Sequence, residues 1–158
     1  MISAFYENCR LLNEAFGIVP LLYGSLGLGY RAGADLGADD IDILLPKEFV
    51  GERWAEFCAL LEKNGYALID EHEHEFEKNG VKYAYARIEG LDSFAGVAPG
   101  DIGQMETENC RFLLLNLEQY LRVYTASAHD GYRLEVRGKK DADKIRFIKD
   151  RLAAKGGR

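Results

Sequence analysis

The 158-residue sequence is poor in proline, cysteine and tryptophan, with three, three and one of these residues. It also lacks any run near the roughly 20 apolar residues that a membrane-spanning helix needs, so a spanning protein is not expected. The odd number and wide separation of Cys9, Cys58 and Cys110 fit neither a disulfide framework nor the spacing of a metal site. Reduced thiols of a cytoplasmic protein are the simplest interpretation, and the N-terminal segment does not have the pattern of a signal peptide.

Positive charge is scarcer than negative charge, with 20 Lys and Arg against 26 Asp and Glu and a formal net charge of -6. Nonspecific binding to duplex nucleic acid depends on neutralising many phosphates, so this balance argues against it. A local basic cluster of Lys139, Lys140, Lys144 and Arg146 keeps a tRNA partner open, and a protein partner is open as well. The hydrophobic content of 47% is that of an ordinary globular domain.

Helical and strand patterns interleave along the chain and predict a globular unit of the α/β or α+β class. The expected helices cover 3–16, capped by Ser3, then 48–64 and 141–154, and a capping box at Asn116 and Gln119 begins another. The expected strands cover 18–23, 39–45, 66–70, 72–77, 81–89 and 112–115, the first of them beginning late or lying near an edge because of Pro20. Asn79-Gly80 is a hairpin signal, and residues 90–109 are expected to be mostly loop.

Acidic and aliphatic residues alternate in one of these expected strands, which Pro46 ends. Successive strand side chains point to opposite faces, so Asp40 and Asp42 share one face while Ile41 and Ile43 point into a core. Their backbones lie roughly 6.5 Å apart, and their carboxylates can share divalent cations about 3.5–4 Å apart, the spacing of two-metal phosphoryl-transfer sites. Hard oxygen ligands favour Mg²⁺ or Mn²⁺. The alternative is a pair of solvated acids at the beginning of a strand.

A glycine-dense stretch begins directly after the first expected strand, at Gly24-Ser25. Gly24 permits a sharp turn and a close approach of phosphates. Free backbone N–H groups at a helix start attract phosphate oxygens, and Ser25 can add a hydroxyl donor. The alternative is an ordinary turn between a strand and a helix.

Taken together, Tyr23-Gly24-Ser25 followed by Asp40-Ile41-Asp42-Ile43 resembles the signature of the nucleotidyltransferase superfamily, the DNA polymerase beta-like fold. The resemblance covers roughly residues 1–90 and looks closest to small bacterial lincosamide and aminoglycoside nucleotidyltransferases and to nucleotidyltransferase-type toxins. It implies a minimal nucleotidyltransferase fold, with a small mixed β-sheet flanked by helices. Residues 1–110 would form the core, and residues 111–158 a helical extension packed on it.

The resemblance also implies an activity, the metal-dependent transfer of a nucleoside monophosphate from an NTP to a small-molecule, RNA or protein acceptor. Carried over by position, Gly24 and Ser25 would hold the β- and γ-phosphates. Asp40 and Asp42 would hold Mg²⁺ or Mn²⁺. Arg31, on the intervening helix, would contact phosphate, with a plain surface cation as the alternative.

The sequence departs from the superfamily pattern at the third carboxylate, which is normally on a later strand of the same sheet. The strand expected to carry it has Tyr83 and Tyr85 at its centre, which leaves Glu89 as the best candidate, ahead of Glu75 and Asp92. Without a third acid, the general base that activates the acceptor is in doubt. The alternative function is therefore a catalytically degenerate member of the superfamily that binds nucleotides or partner proteins.

Two rival motifs point to other chemistry. Residues 27–32 match G-x-G-x-x-A, the dinucleotide fingerprint, but the acids that follow lie at the near end of the next strand rather than its far end. His72 and His74 would share one face of a strand and suggest a metal site. No third ligand is evident for them, so an exposed edge strand is favoured.

Overall fold

The computed structural model of the chain describes residues 1–129 and 131–156, without the side chains of 131–139 and 156. Within these ranges the chain forms six α-helices and one seven-stranded sheet. The helices are α1 (Ile2–Phe16), α2 (Gly24–Ala32), α3 (Trp54–Lys63), α4 (Gly90–Ala95), α5 (Leu117–His129) and α6 (Gly131–Gly156). The strands are β1 (Leu21–Tyr23), β2 (Asp40–Leu45), β3 (Ala67–Asp70), β4 (Glu75–Lys78), β5 (Val81–Arg87), β6 (Gly103–Thr107) and β7 (Cys110–Leu114). Short 3-10 helices occupy Lys47–Val50 and Pro99–Asp101.

The sheet is mixed, with the strand order β3-β4-β5-β2-β1-β7-β6. Strand β2 pairs in parallel with β5, and β1 pairs in parallel with β7, while the other neighbouring strands are antiparallel. The predicted fold class, a mixed sheet flanked by helices with helices at the C-terminal end, is thereby confirmed. Strand β1 begins only after Pro20, as expected, but it lies inside the sheet rather than near an edge.

One face of the sheet is covered by α1 and α3. Phe5, Cys9 and Leu12 fall at helical spacing along α1, and all three are fully buried. They belong to the same core as Ile41 and Ile43, which β2 points to this face. Gly17 ends the helix in the left-handed conformation, which glycine adopts without strain. The predicted cap at Ser3 is wrong, because the helix begins at Ile2.

The opposite face of the sheet carries a second core. Leu21 from β1 and Leu44 from β2 contribute to it, together with Tyr120 of α5 and Ile148 of α6. Leu44 follows Asp42 on the same face of β2, since side chains two residues apart on a strand point the same way. The helices that cover Leu44 are therefore brought next to the two aspartates.

Two local signals are confirmed. The backbone N–H of Asn116 donates to the side chain of Gln119 at 2.9 Å, and the Gln119 N–H donates to the Asn116 side chain at 2.8 Å, which is the predicted capping box of α5. Asn79 and Gly80 have φ values of 52° and 77° between β4 and β5, as expected for a tight hairpin turn.

Other boundaries were predicted incorrectly. Residues 90–109 were expected to be mostly loop, but they contain α4, a 3-10 helix and β6. Helix α3 begins at Trp54, after a 3-10 turn, and α6 begins ten residues earlier than expected. The division at residue 110 stays a prediction, and β7 lies across it. None of the helices in the described ranges is long and apolar enough to cross a membrane.

Candidate active site

The turn between β1 and α2 brings a helix N-terminus against the acidic strand. Strand β1 ends at Tyr23 and α2 begins at the next residue, Gly24, with a φ of 65°. A Cβ added to Gly24 would overlap Oδ2 of Asp42 and lie 3.1 Å from its Cγ. Only a residue without a side chain allows the turn and the carboxylate to be this close.

The two aspartates occupy one face of β2, as the alternation in the sequence predicts. Asp40 and Asp42 are both half-buried, while Ile41, Ile43 and Leu45 between and beyond them are fully buried on the other face. Antiparallel pairing places Asp42 opposite Tyr23, the residue just before the glycine turn. The carboxylates and the start of α2 therefore lie at the same place on the sheet.

These groups line a single cleft of about 660 Å³, a volume within the range of small-molecule sites. The sheet side of the cleft contains Gly24, Ser25, Asp40 and Asp42. Helices α5 and α6 form much of the opposite side, and α6 contributes two lysines, Lys140 and Lys144. The four residues at the centre of the sequence signature are thus brought together in one open cavity.

A second close contact packs α5 against β1 and α2 next to this cleft. The Tyr120 hydroxyl donates to the carbonyl oxygen of Leu22 at 3.1 Å, and a Cβ on Gly27 would overlap that hydroxyl. Burial raises the pKa of Tyr120 well above its usual value, with smaller contributions from nearby groups that include Asp42. The hydroxyl therefore keeps its proton and remains a donor. Gly27 lies inside α2 rather than at the turn, which argues against the dinucleotide fingerprint.

Arg31 is engaged elsewhere in the fold. Its Nε donates to the carbonyl of Leu115 at 2.9 Å, and Nη2 donates to the carbonyl of Leu114 at 3.3 Å. The side chain ties α2 to the end of β7, and it is not among the described residues that line the cleft. The structure therefore does not bring Arg31 together with the aspartates.

Glu89 also lies away from the cleft, because of the parallel register of β5. Ala84 pairs with Asp42, and β5 continues to Arg87, roughly 10 Å farther along the strand direction. Glu89 lies beyond that end, at the start of α4. The Glu89 carboxylate accepts the backbone N–H of Lys47, with its two oxygens at 3.0 and 3.2 Å from that nitrogen. Of the reserve candidates, Glu75 lies on β4 beside Ala84, and Asp92 is exposed on α4.

The cleft has donors suited to a divalent cation, but no complete set of three. Among the described residues, no group of three His, Cys, Asp or Glu side chains is placed to hold one metal ion. Mg²⁺ is usually bound by one or two carboxylates together with substrate phosphates and water. Asp40 and Asp42, packed against the glycine turn, fit that smaller requirement. His72 and His74 do not form a metal site, since His72 is in an exposed turn and His74 contacts the Trp54 ring.

Comparison with known proteins places the chain in a family. No protein-family model matches the sequence. The uncharacterized protein YnaI of Bacillus subtilis (strain 168) is 36% identical over 148 residues, which cover 94% of this chain and 95% of YnaI. The chain belongs to the YnaI family.

Solved structures identify the fold of this member of the YnaI family. The crystal structure of ANT(2″)-Ia in complex with adenylyl-2″-tobramycin has a TM-score of 0.61 at 16% identity, and the match covers 99% of this chain and 92% of that one. A solution structure of ANT(2″)-Ia has a TM-score of 0.49 at 15% identity, covering 99% and 94%. The crystal structure confirms the resemblance to the nucleotidyltransferase fold.

The helical side of the cleft contains further residues from α4, α5 and α6. Asp141 of α6 is 1% exposed, and Ser127 of α5 donates to its Oδ2 at 2.8 Å. Phe94 of α4 is a large apolar side chain that stays 40% exposed at the edge of the cleft. Ser127 and Phe94 belong to no motif, so only the packing of α4 and α5 on the sheet could reveal them. Asp141 lies in the segment Lys140-Asp141-Ala142-Asp143-Lys144-Ile145, which resembles a lysine-acid segment on a late helix of small nucleotidyltransferases.

The basic cluster predicted near the C-terminus is divided by the fold. Lys140 and Lys144 line the cleft, and the Lys144 ammonium lies 5.7 Å from the centre of the Tyr124 ring. Arg146 is exposed and does not line the cleft. The side chain of Lys139 lies outside the described residues. Two of the four basic residues therefore line the cleft.

Proposed function

We propose that the protein is a metal-dependent nucleotidyltransferase, which transfers a nucleoside monophosphate from an NTP to an acceptor and releases pyrophosphate. One observation carries the proposal: Asp42 packs against Gly24 at the start of α2, with Ser25 and Asp40 in the same cleft. A strand with two acids beside a helix N-terminus supplies both halves of a site for a cation-bound triphosphate.

The triphosphate would bind at the start of α2. The first N–H groups of a helix have no partner within the helix, and they bind phosphate oxygens together with the Ser25 hydroxyl. Lys140 and Lys144, from the facing helix α6, add positive charge to the same cleft. Since lysine is a common phosphate ligand, these two residues are proposed to bind the triphosphate, which leaves little of the basic cluster for tRNA.

Asp40 and Asp42 would hold Mg²⁺ or Mn²⁺. When bound, the metal neutralises charge on the triphosphate and on the leaving pyrophosphate. The role of the chain is to fix the nucleotide so that an acceptor oxygen can approach the α-phosphorus in line with the leaving oxygen. Catalysis of this kind depends mainly on positioning and electrostatic stabilisation.

The acceptor is proposed to be a small molecule with a hydroxyl group. A cleft of about 660 Å³ has the size of a small-molecule site, and the net charge of -6 disfavours a nucleic acid. The ANT(2″)-Ia structure contains adenylylated tobramycin, so tobramycin is a reasonable first probe. A useful acceptor panel contains tobramycin, glycerol, mixed tRNA and water.

The deciding experiment is a screen of α-labelled NTPs with Mg²⁺ or Mn²⁺ and this panel, with pyrophosphate and labelled product as readouts. The Asp42→Asn variant should lower transfer by about 100-fold or more, since a metal ligand contributes several kcal/mol to the transition state. Its thermal unfolding should stay close to that of the wild type, because the amide has the same shape. The matched control is Asp92→Asn, at an exposed position on α4. A folded Asp42→Asn variant with full transfer would overturn the proposal.

The second candidate is a degenerate member of the fold that binds nucleotides without turnover. It is favoured by the lack of a third carboxylate beside Asp40 and Asp42 among the described residues. Calorimetry with ATP and GTP, with and without Mg²⁺, separates the two candidates. Metal-dependent binding without any pyrophosphate release would support the binding module.

A further inference from the structure

A buried carboxylate lies in the cleft and has no part in the proposed binding of nucleotide or metal. Asp141 is 1% exposed and lines the cleft from α6. Ser127, itself 5% exposed, lines the same cleft and donates its hydroxyl hydrogen to Asp141 Oδ2 at 2.8 Å. The pair sits on the helical side, whereas Asp40 and Asp42 are on the sheet side.

With respect to the described residues, the Asp141 carboxylate keeps unfilled capacity to accept hydrogen bonds. An ionised carboxylate can accept about four hydrogen bonds. Among the described side chains, Ser127 is the one that donates a hydrogen bond to Asp141. Burying a charged group is costly unless hydrogen bonds compensate for the lost water. A donor on a molecule bound in the cleft would complete the set, and a hydroxyl group is such a donor.

The candidates for the third acid on and after the sheet strands do not line the cleft: Glu75 lies beside Ala84 at the level of Asp42, but neither it nor Glu89 is among the described lining residues. Glu89 is engaged with the Lys47 backbone and lies beyond the end of β5, whose last residue, Arg87, is roughly 10 Å along the strand from the level of Asp42. Glu73 reaches the cleft from the turn between β3 and β4, but it is exposed and contacts His72 at 3.3 Å. Asp141 is the buried acid of the cleft, held on a long helix rather than on an exposed turn, which favours a fixed geometry.

We propose that Asp141 is the general base that activates the acceptor, an inference that rests on the proposed function. The acceptor O–H bond breaks and its proton passes to the Asp141 carboxylate. The freed electron pair of the acceptor oxygen forms the new bond to the α-phosphorus. The bond from the α-phosphorus to the bridging oxygen breaks, and pyrophosphate leaves with that electron pair. The acceptor class is therefore a hydroxyl compound that enters from the side of α5 and α6.

The test compares Asp141→Asn with Asp143→Asn, an exposed position two residues along the same helix. Transfer is measured with labelled ATP, Mg²⁺ and the acceptor panel above, ATP affinity by calorimetry, and folding by thermal unfolding. Loss of a general base should lower the rate constant for transfer by 10²- to 10⁴-fold. ATP affinity should stay within about threefold, because the base contacts the acceptor and not the nucleotide. Asp143→Asn should match the wild type in all three measurements.

Each other result counts against Asp141 as the base. Full transfer by Asp141→Asn would show that the carboxylate is dispensable. An equal loss of ATP affinity would assign it to the nucleotide site, and loss of cooperative unfolding would assign it to the fold. A wild type that neither binds ATP nor releases pyrophosphate would overturn the proposed function itself. Equal activity of the wild type and the Asp141→Asn variant would overturn only the role of Asp141, so the two failures can be distinguished.

Discussion

Adding one methyl group at the glycine turn is expected to impair the candidate site from within. Gly24 has a φ of 65°, in the left-handed region, where an L residue with a Cβ costs about 1–2 kcal/mol. For a chain of this length, each kcal/mol lowers the melting temperature by roughly 2–4 °C. Gly24→Ala should therefore lower it by about 2–8 °C from the backbone conformation alone.

The same methyl group has a second and more specific effect. It would overlap Oδ2 of Asp42 and lie 3.1 Å from Cγ, so the carboxylate must rotate away from the turn. The rotated Asp42 carboxylate would interact less well with a bound Mg²⁺–ATP complex. A hydrogen bond to a charged group, taken here as the scale for that interaction, contributes about 1.5–3 kcal/mol. Loss of about 2 kcal/mol weakens binding by roughly 30-fold. Calorimetric titration of Gly24→Ala with ATP and Mg²⁺ should show that weakening.

Gly33 provides a matched control at the other end of the same helix. Its φ is 68°, and nothing lies within 4 Å of a Cβ built there. Gly33→Ala should therefore lose similar stability while keeping the ATP affinity of the wild type. The reasoning is refuted if Gly24→Ala binds ATP and Mg²⁺ as tightly as the wild type, or if both variants lose the same affinity.

Two further predictions concern residues outside the cleft. Glu89→Gln should leave transfer and ATP affinity unchanged, because an amide oxygen can still accept the Lys47 N–H; a tenfold loss in the same assays would restore Glu89 to the site. Burial raises the pKa of Cys58 to about 11 from 9.0, so its thiolate fraction near neutral pH is about 100-fold lower than that of an unshifted thiol. Alkylation of Cys58 by iodoacetamide should be slow at pH 7 and accelerate about tenfold per pH unit up to pH 11. The Cys58→Ser variant is the control, and fast labelling of Cys58 at pH 7 would contradict the assigned burial.

Local patterns predicted much of the fold because their physical causes are local. The period of α1, the alternation in β2 and the capping box at Asn116 each depend on residues a few positions apart. The prediction for residues 90–109 failed because the local signals in this segment are weak. Helix α4 is a single short element with one buried residue, Leu91, and β6 is largely exposed. The turn at Glu108 and Asn109 reaches positive φ without a glycine, so the usual hairpin signal is missing.

The pairing register of strands that are distant in sequence could not be predicted from the sequence. Glu89 follows the strand that neighbours β2, which made it a sensible candidate for the third acid. Parallel pairing of β2 with β5 then sets Ala84 beside Asp42 and carries Glu89 to the far end of the strand. No local pattern specifies that offset, because it is decided by which side chains pack across the sheet.

The sequence signature and the cleft overlap only in part, and the difference has a physical origin. The signature, Tyr23 to Ile43, describes the side of the cleft that is proposed to bind a triphosphate, whose charge and shape are the same for every NTP. The facing side comes from α5 and α6, which begin more than 70 residues after Asp42 along the chain. The structure adds what the sequence could not predict on that side, the burial of Asp141 in the cleft and its hydrogen bond with Ser127. Because acceptors differ while the triphosphate does not, the proposed function would make the choice of acceptor depend on the helical side.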